Sequence, residues 1–331
     1  MPKKKTFTHL QGRKRPPSDY EELSTGLMWR TPPHVNTRHG TWREKDTALR
    51  ADWEEFRDPT GLTYRTYVAR QDAAERQLDG VLRTGALLGV PDGLDGAWRR
   101  ALATLVGAMS FAEWGVGMLH QQVERFSLSS TLAQSAQLQV MDKMRHAQRD
   151  LEVYDLVFGE PEGDDDPVRQ LWMEGPDIQP LRRYIEEALG RTDWAELIVA
   201  ANLGLGGLVT PFLREMYLEG GRRYRDSVVV GLGTAFGEDE ARAVAWTDAF
   251  VKLTATEPAN SGVISGWLEH YLPPATEVVS TLAGHHPLDG IADKAAATAA
   301  EELATRLSGL DLDVGPAASA ALAEARGVVA A

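Results

Sequence analysis

Hydrophobic residues recur at helical spacing along most of the chain, most regularly between residues 140 and 158. The apolar positions there follow steps of three and four: Val140, Met144, Ala147, Leu151, Tyr154 and Phe158. Because that spacing places one apolar stripe on one face of a helix, we predict a long buried helix over residues 130–158. Lys143 and His146 lie beside the stripe, and buried polar groups of this kind require compensation.

A second predicted helix, over residues 95–122, supplies a candidate partner. Glu113 interrupts inward positions that are otherwise Leu102, Leu105, Met109, Val116 and His120. A buried carboxylate must be neutralised, paired or bound to metal. Four-helix metal proteins use one glutamate on each of two helices and a Glu-x-x-His on each of the others, whereas this pair is Lys143-x-x-His146. Since an ammonium repels iron but neutralises a carboxylate, we predict a metal site replaced by an ion pair.

Helical patterns cover the rest of the chain, and strand signals are nearly absent. Further helices are predicted over residues 72–84, 180–189, 193–220, 222–256 and 260–271. The last should stop at Pro273 and Pro274, because proline lacks the backbone donor that a helix needs. The acidic run 160–167 is predicted to be a solvated surface loop, since it lacks the ligand pattern of a calcium loop.

Small residues mark three of these regions. Glycines within residues 203–208 predict a close helix contact or a local bulge. Gly231, Gly233 and Gly237 resemble a dinucleotide loop, but the third glycine is one position late, so we predict a helix break before Glu238 instead. The alanine-rich tail from residue 289 is predicted to be helical and to pack on the outside.

The amino-acid composition excludes several classes of partner and of functional site. The net charge of −13 and the pI near 5.1 argue against a nucleic-acid or anionic-membrane surface. The chain has no cysteine, which excludes disulfides, thiolate metal sites and cysteine nucleophiles. No apolar run approaches the ~20 residues that cross a bilayer, and no secretory signal is present, so we expect a cytoplasmic protein.

The first 65 residues differ from the helical body. Their aromatic residues are scattered: Phe7, Tyr20, Trp29, Trp42, Trp53, Phe56 and Tyr64. Because such residues need a surface that buries them, we predict an N-terminal arm that embraces another subunit. The alternative is an arm wrapped on its own body. The basic cluster within residues 3–15 is either a solvated terminus or a docking site for an acidic partner.

Three blocks give the chain a resemblance to a known family. They are residues 6–21, residues 53–72 with Trp53, Tyr67 and Gln71, and residues 260–273 with Asn260 and Trp267. On these blocks the chain resembles the β (small) subunit of the hydroxylase component of soluble diiron bacterial multicomponent monooxygenases. It is most similar to the toluene, alkene and isoprene monooxygenase group.

The resemblance implies an all-α, ferritin-like helical bundle, similar to the ribonucleotide reductase small subunit. It divides the chain into an extended N-terminal arm at a subunit interface (1–65), a bundle with a degenerate diiron site (66–286) and alanine-rich C-terminal helices (287–331). The implied function is that of a non-catalytic structural subunit. Its complex would insert one O2 oxygen into a small alkene or aromatic hydrocarbon.

The resemblance also implies a set of vestigial diiron positions. Glu113 matches the first glutamate of the α subunit, Lys143 stands at a ligand glutamate and His146 at a ligand histidine. Glu240 matches a glutamate of the second half, and Ala243 replaces the histidine that follows it. At least two ligands are therefore lost, so we expect no catalytic, cofactor-binding or metal-binding residue in this chain. The position of a third lost glutamate falls near residue 204.

The implied partners are the hydroxylase α and γ subunits in an α2β2γ2 complex, with the diiron centre in the α subunit. An effector protein, a Rieske ferredoxin and a reductase act indirectly, and NADH, FAD and Fe–S clusters belong to the electron-transfer components. No nucleic-acid or membrane partner is expected. The alternatives are a stand-alone diiron oxygenase or ferritin-like metal protein, which the missing Glu-x-x-His disfavours, and a helical adaptor of unrelated function.

Overall fold

The computed structural model of this chain describes residues 16–27, 47–159 and 166–327. Within these ranges the chain is helical and contains no strand, which confirms the all-α prediction. The α-helices are α1 Asp19–Ser24, α2 Tyr64–Leu87, α3 Gly96–Leu102, α4 Met109–Phe126, α5 Ser130–Phe158, α6 Pro167–Glu174, α7 Gln179–Leu189, α8 Trp194–Ile198, α9 Thr210–Glu215, α10 Gly221–Tyr224, α11 Ser227–Thr254, α12 Ala259–His285, α13 Ile291–Gly309 and α14 Pro316–Ala325.

Two helices of 31 residues, Gly96–Phe126 and Trp194–Tyr224, cross the core and contain π-helical segments. The π segments are Ala103–Ala108, Val199–Val209 and Met216–Gly220. The second of them covers the glycines at 203–208, which confirms the predicted bulge. Both long helices are apolar enough to cross a bilayer, but 67% and 78% of their most apolar windows are buried inside this fold. They pack as core helices here.

Helices α4 and α5 form the most extensive helix pair of the described residues. The turn between them ends at Ser129, whose side chain accepts a hydrogen bond from the Leu132 amide at 3.2 Å and so caps α5. α5 then runs over the predicted range without interruption. This pair therefore fixes the relative register of Glu113 on α4 and Lys143 on α5.

The predicted apolar stripe of α5 is wrong at two positions. Met144 and Leu151 are 37% and 40% exposed, and the buried face passes instead through Lys143, His146 and Asp150. The physical reason is that these polar groups line the centre of the bundle, where Lys143 and His146 find partners on other helices. The spacing of apolar residues along one helix does not show that a polar residue has a partner on another helix.

The predicted end of a helix at Pro273 and Pro274 is also wrong. α12 continues through both prolines to His285. Its residues on either side of the prolines are fully buried, and the helix packs against α7, α14 and the π segment Val199–Val209. Burial of that face outweighs the local cost of proline.

The predicted helix break before Glu238 does not occur, because α11 is continuous. Its glycines serve close packing. A Cβ on Gly231 would lie 2.7 Å from Cγ1 of Val81, and one on Gly233 would lie 2.8 Å from Cβ of Tyr217. Glycine at these two positions lets α2 and the π segment Met216–Gly220 approach α11 closely.

The alanine-rich tail does not pack only on the outside. Ala299 and Ala300 of α13 are 0% exposed and join the main hydrophobic core. α13 lies against α9 and the π segment Val199–Val209, while α14 lies against α12. Small side chains explain why a weakly apolar sequence is buried here, since alanine permits close approach of helix backbones.

In the described part of the N-terminal arm, Tyr20, Trp53 and Phe56 pack on this chain's own body, so their predicted burial against another subunit is wrong, whereas Tyr64 is 68% exposed. The contact of the arm as a whole with another subunit stays a prediction. Trp53 lies 4.8 Å from Trp194 in an edge-to-face arrangement, and Phe56 is 1% exposed. The hydroxyl of Tyr20 accepts a hydrogen bond from the Asp58 amide at 3.0 Å. The basic cluster, the aromatic residues at positions 7, 29 and 42, and residues 160–165 of the acidic run lie outside the described residues.

Candidate functional site

The structure brings Glu113, Lys143 and His146 together inside the bundle. Nζ of Lys143 lies 2.8 Å from Oε2 of Glu113, with side-chain exposures of 10% and 15%. Nδ1 of His146 lies 3.2 Å from the same oxygen, and the imidazole stacks on Phe236 with ring centroids 3.8 Å apart. The predicted contact between the lysine and the glutamate is therefore present, and the histidine completes the cluster.

Electrostatics hold Glu113 in its ionised form. Burial alone would raise its pKa, but the Lys143 ammonium and the His146 hydrogen bond lower the pKa to about 2. Burial lowers the pKa of His146, and its interaction with Glu113 opposes that shift. The cluster is thus a compensated ion pair rather than an isolated buried charge.

A second polar layer, centred on Asp142 and Asp239, was not predicted from the sequence. Oδ1 of Asp142 accepts hydrogen bonds from the Tyr67 hydroxyl at 2.7 Å and from Nε2 of Gln71 at 3.0 Å. The same amide nitrogen lies 2.7 Å from Oδ1 of Asp239. An ion pair between Asp142 and Arg242 completes this network. The available signal was the one-turn spacing of Tyr67 and Gln71 on α2.

This layer is joined to the cluster through Asp239. Its Oδ2 lies 3.0 Å from Nε2 of His146 and forms an ion pair with Arg145. Arg145 also contacts Oε1 of Glu75 at 2.6 Å, so α2, α5 and α11 are linked by one chain of charges. Networks of this kind stabilise a single core arrangement when each member is paired.

A third buried polar group lies deeper, around Asn202 of the π segment. Its Oδ1 accepts from Nε2 of Gln139 at 2.9 Å and faces Nε2 of His120 at 3.1 Å. Its Nδ2 donates to Oγ1 of Thr247 at 2.9 Å. Burial, with Lys143 adding to the effect, lowers the pKa of His120 to about 3, so this histidine is neutral.

The half of the candidate site around Glu240 is built differently from the half around Glu113. Oε1 of Glu240 pairs with Nη1 of Arg214 at 2.7 Å, and Arg214 also contacts Oε2 of Glu302 at 2.8 Å. Burial raises the pKa of Glu240, while Arg214 opposes that shift. Ala243 presents only a methyl group to the interior. Gly204 faces Tyr184, and a Cβ at position 204 would overlap the Tyr184 hydroxyl. The neighbours of Gly204, and not Gly204 itself, therefore line the site.

Between the two halves lies a cavity of about 70 Å³. Its polar lining includes Glu113, Lys143, His146, Asp150, Asn202, Arg214, Tyr217, Asp239 and Glu240, and its apolar lining includes Met109, Leu205 and Phe236. Asp150 is one of the members of this set that the sequence did not indicate. Its position next to Leu151, which was assigned to the buried stripe, concealed it.

The residues present do not fit an iron pair. The ammonium of Lys143 stands 2.8 Å from the carboxylate that would bind metal, and Ala243 has no lone pair. In the ranges that the structure describes, no group of three or more His, Asp or Glu side chains could hold a metal ion. The arrangement stabilises the bundle through paired charges, and no step of metal chemistry is assigned to it.

Comparisons with known proteins agree with this geometry. The family described as methane/phenol/alkene hydroxylase matches residues 32–258. The β subunit of the hydroxylase component of the toluene-4-monooxygenase system from Ectopseudomonas mendocina is 24% identical over 294 residues, which cover 81% of this chain and 86% of that protein. The oxygenase component DmpL of phenol 2-monooxygenase from Pseudomonas sp. (strain CF600) is 29% identical, with coverage of 85% and 88%.

Solved structures show the same fold. The phenol hydroxylase from Pseudomonas sp. OX1, studied under xenon pressure, matches with a TM-score of 0.82 at 22% identity, over 95% of this chain and 97% of that chain. Toluene 4-monooxygenase with toluene in its resting active site matches with a TM-score of 0.75 at 24% identity, over 86% and 97%. The ferritin-like prediction is confirmed by these matches.

Proposed function

This chain belongs to the methane/phenol/alkene hydroxylase family, and on that premise we propose that it is the structural β subunit of the hydroxylase of a multicomponent monooxygenase. The observation that carries the proposal is the Lys143–Glu113 ion pair, which puts a cation where a metal ligand would be needed. A bundle compensated in this way supports a catalytic partner instead of holding an iron pair. Two relatives are named as β chains, one of the hydroxylase component of the toluene-4-monooxygenase system and one of component A of methane monooxygenase.

The outer sides of α4 and α5 carry apolar side chains suited to an obligate partner. Trp114 and Met118 lie one turn apart on α4 and are 51% and 40% exposed. Met144 and Leu151, the positions wrongly assigned to the buried stripe, project outward from α5. Large exposed apolar residues of this kind mark protein interfaces. In the proposal the hydroxylase α subunit covers this face, within an α2β2γ2 assembly.

The α subunit holds the diiron centre and binds the hydrocarbon in the proposed complex, and this chain supplies no catalytic residue. A reductase with FAD and an Fe–S cluster passes NADH electrons through a Rieske ferredoxin, and an effector protein binds the hydroxylase. The complex inserts one O2 oxygen into a small alkene or aromatic hydrocarbon. We propose that it acts in the cytoplasm.

Co-expression with the neighbouring reading frames tests the proposal. We expect the chain to elute with a subunit that contains two Glu-x-x-His motifs. Replacing two interface residues together, Trp114→Glu and Met144→Glu, should weaken that association by more than about tenfold, the effect of ~1.4 kcal/mol. The control is Leu87→Glu, because Leu87 is 82% exposed at the end of α2 and belongs to neither α4 nor α5. Equal binding by the double variant and the control would refute the proposed interface.

The alternative function, a stand-alone diiron oxygenase or ferritin-like metal protein, makes a different prediction about iron. We expect the chain separated from its partners to bind no iron pair, because Lys143 and Ala243 occupy ligand positions. Metal analysis of the purified chain measures this directly, and stoichiometric iron there would support the alternative. Purification without any diiron subunit among its partners would instead favour a helical adaptor.

A further inference from the structure

Asp150 is a buried acid that forms no ion pair with the cluster of Glu113, Lys143 and His146. It is 1% exposed, and neither carboxyl oxygen has a hydrogen-bond partner among the described residues. Its side chain lines the 70 Å³ cavity. Glu240 lines the same cavity, and its Oε2 likewise has no partner in the described chain. A buried polar atom without a partner is costly, so two such carboxyl groups in one cavity require a ligand.

The charges around the cavity restrict what that ligand can be. Lys143, Glu113 and Asp239 already lie in ion pairs, and Arg214 is held by Glu240 and Glu302. An added cation would meet the Lys143 ammonium, and an added anion would meet the buried carboxylates. A small uncharged molecule that both donates and accepts hydrogen bonds avoids both conflicts. The volume is about twice the ~30 Å³ that a water molecule occupies in the liquid.

A route to solvent lies on the side of Glu240. A surface groove between α9, α11 and α13 shares four of its lining residues with the cavity: Gly206, Arg214, Glu240 and Val244. Arg214 stands where the two meet, with one guanidinium nitrogen on Glu240 and the other on Glu302, which is half exposed. Moving this one side chain would therefore join the cavity to the groove.

We propose that the cavity is a water site, in which about two water molecules bind Asp150 and the free oxygen of Glu240 and exchange with solvent past Arg214. The water supplies the hydrogen-bond partners that the two carboxyl groups lack, and the site has the polar partners that a buried water needs. The proposal concerns the interior of this chain and does not depend on its role as a β subunit.

Hydroxyl-radical footprinting of the purified full-length chain tests the water site, because buried water generates radicals beside the side chains that it touches. Met109 lines the cavity and is 2% exposed, while Met216 is 0% exposed and lies outside the lining. We expect Met109 to be oxidised severalfold faster than Met216. Equal, slow oxidation of both methionines would show a dry cavity and overturn the proposal.

Variants of Asp150 identify the group that holds the water. Asp150→Leu should reduce the oxidation rate of Met109 to that of Met216, whereas Asp150→Asn should retain the faster rate because the amide still binds water. A thermal unfolding curve establishes that each variant is folded, and the asparagine variant keeps the test valid should the leucine variant fail to fold. Fast oxidation of Met109 in a folded leucine variant would show that Asp150 does not hold the water.

Substitution of Arg214 tests the route. After mixing with heavy-oxygen water shortly before irradiation, Arg214→Gln should incorporate the heavy label at Met109 severalfold sooner than the wild type. Arg222→Gln is the control, because Arg222 is a surface residue paired with Glu219 on the same long helix. Identical incorporation in all three proteins would eliminate Arg214 as the barrier.

Discussion

The two buried glutamates of the candidate site, Glu113 and Glu240, are neutralised in different ways. Glu113 meets an ammonium from inside the bundle, and both of its oxygens contact Lys143. Glu240 meets a guanidinium that reaches in from the surface, and only one of its oxygens is bound by a residue that the structure describes. Both glutamates line the cavity, together with Asp150.

The difference shows two solutions to one physical problem. A carboxylate inside a helical bundle needs a positive charge. A residue inside the bundle can supply that charge, as Lys143 does, or a residue nearer the surface can reach in to the carboxylate, as Arg214 does. The inner solution makes each partner dependent on the other. The outer solution keeps a polar route to the surface, so water can compensate when the cation is removed.

The largest expected effect is on the inner pair. Lys143→Met should lower the free energy of unfolding by ~3–5 kcal/mol, because it leaves Glu113 buried and unpaired. The double variant Glu113→Leu, Lys143→Met should lose much less, since both charges are then absent. Lys143→Glu should also destabilise the chain, as two carboxylates would share one site. Denaturant unfolding of the wild type, both single variants and the double variant gives the coupling free energy.

A coupling free energy below ~0.5 kcal/mol would mean that the two side chains act independently, and the inner solution would be no stronger than a surface ion pair.

A smaller effect is expected at the outer pair. Arg214→Met should cost about 1–2 kcal/mol, because it removes a charged hydrogen-bond partner from Glu240 while leaving a groove through which water can replace it. Arg222→Met provides the matched control and should change the stability by less than ~0.5 kcal/mol. If Arg214→Met were as costly as Lys143→Met, the supposed difference between the two halves would disappear.

The smallest expected effect is a gain in stability on substitution of Asp150, and it depends on pH. Burial, with Glu113 adding to it, raises the pKa of Asp150 well above its ordinary value, and Lys143 opposes this. The folded chain therefore keeps the Asp150 proton at pH values where the unfolded chain has lost it. This group's contribution to stability falls as the pH rises from the unfolded pKa near ~4 towards the folded pKa.

Asp150→Asn removes that dependence, since the amide stays neutral. We expect its Tm to exceed that of the wild type by about 2–4 °C at pH 7, with no difference below pH ~4. Asp52→Asn, at an exposed position without a side-chain capping bond, should leave Tm unchanged at both pH values. Calorimetry at the two pH values measures the difference, and a wild type more stable than Asp150→Asn at pH 7 would show that the folded chain stabilises the ionised form of Asp150.

The helices were largely predictable from the sequence, and so was the contact between Glu113 and Lys143. Periodic spacing identified α5, and a charge within the otherwise apolar face of its partner helix identified Glu113. The rest required tertiary information. Apolar spacing put Met144 and Leu151 inside, although the bundle buries Lys143 and His146 instead, because a periodic pattern does not show which charges are paired across helices.

Predictions made from local sequence were also wrong where tertiary packing determined the structure. Gly237 does not end a helix, because α11 is held by its neighbours on both sides, and the aromatic residues Trp53 and Phe56 found their burial on this chain's own bundle. The network around Asp142 joins α2, α5 and α11, three helices far apart in sequence. No spacing rule connects such distant positions, although Tyr67 and Gln71 share a helical face.

The two prolines inside α12 affect the order in which the chain folds. Without the amides of Pro273 and Pro274, the carbonyl groups of Glu269 and His270 lack helical donors, so helix growth from either end stops there. Each half of α12 is at most about the length at which isolated helices become marginal, so the complete helix requires the surface on which it docks. We expect α12 to join a bundle already formed, and Val279→Ala to give a folding φ-value near zero. A value near one would place α12 in the folding nucleus.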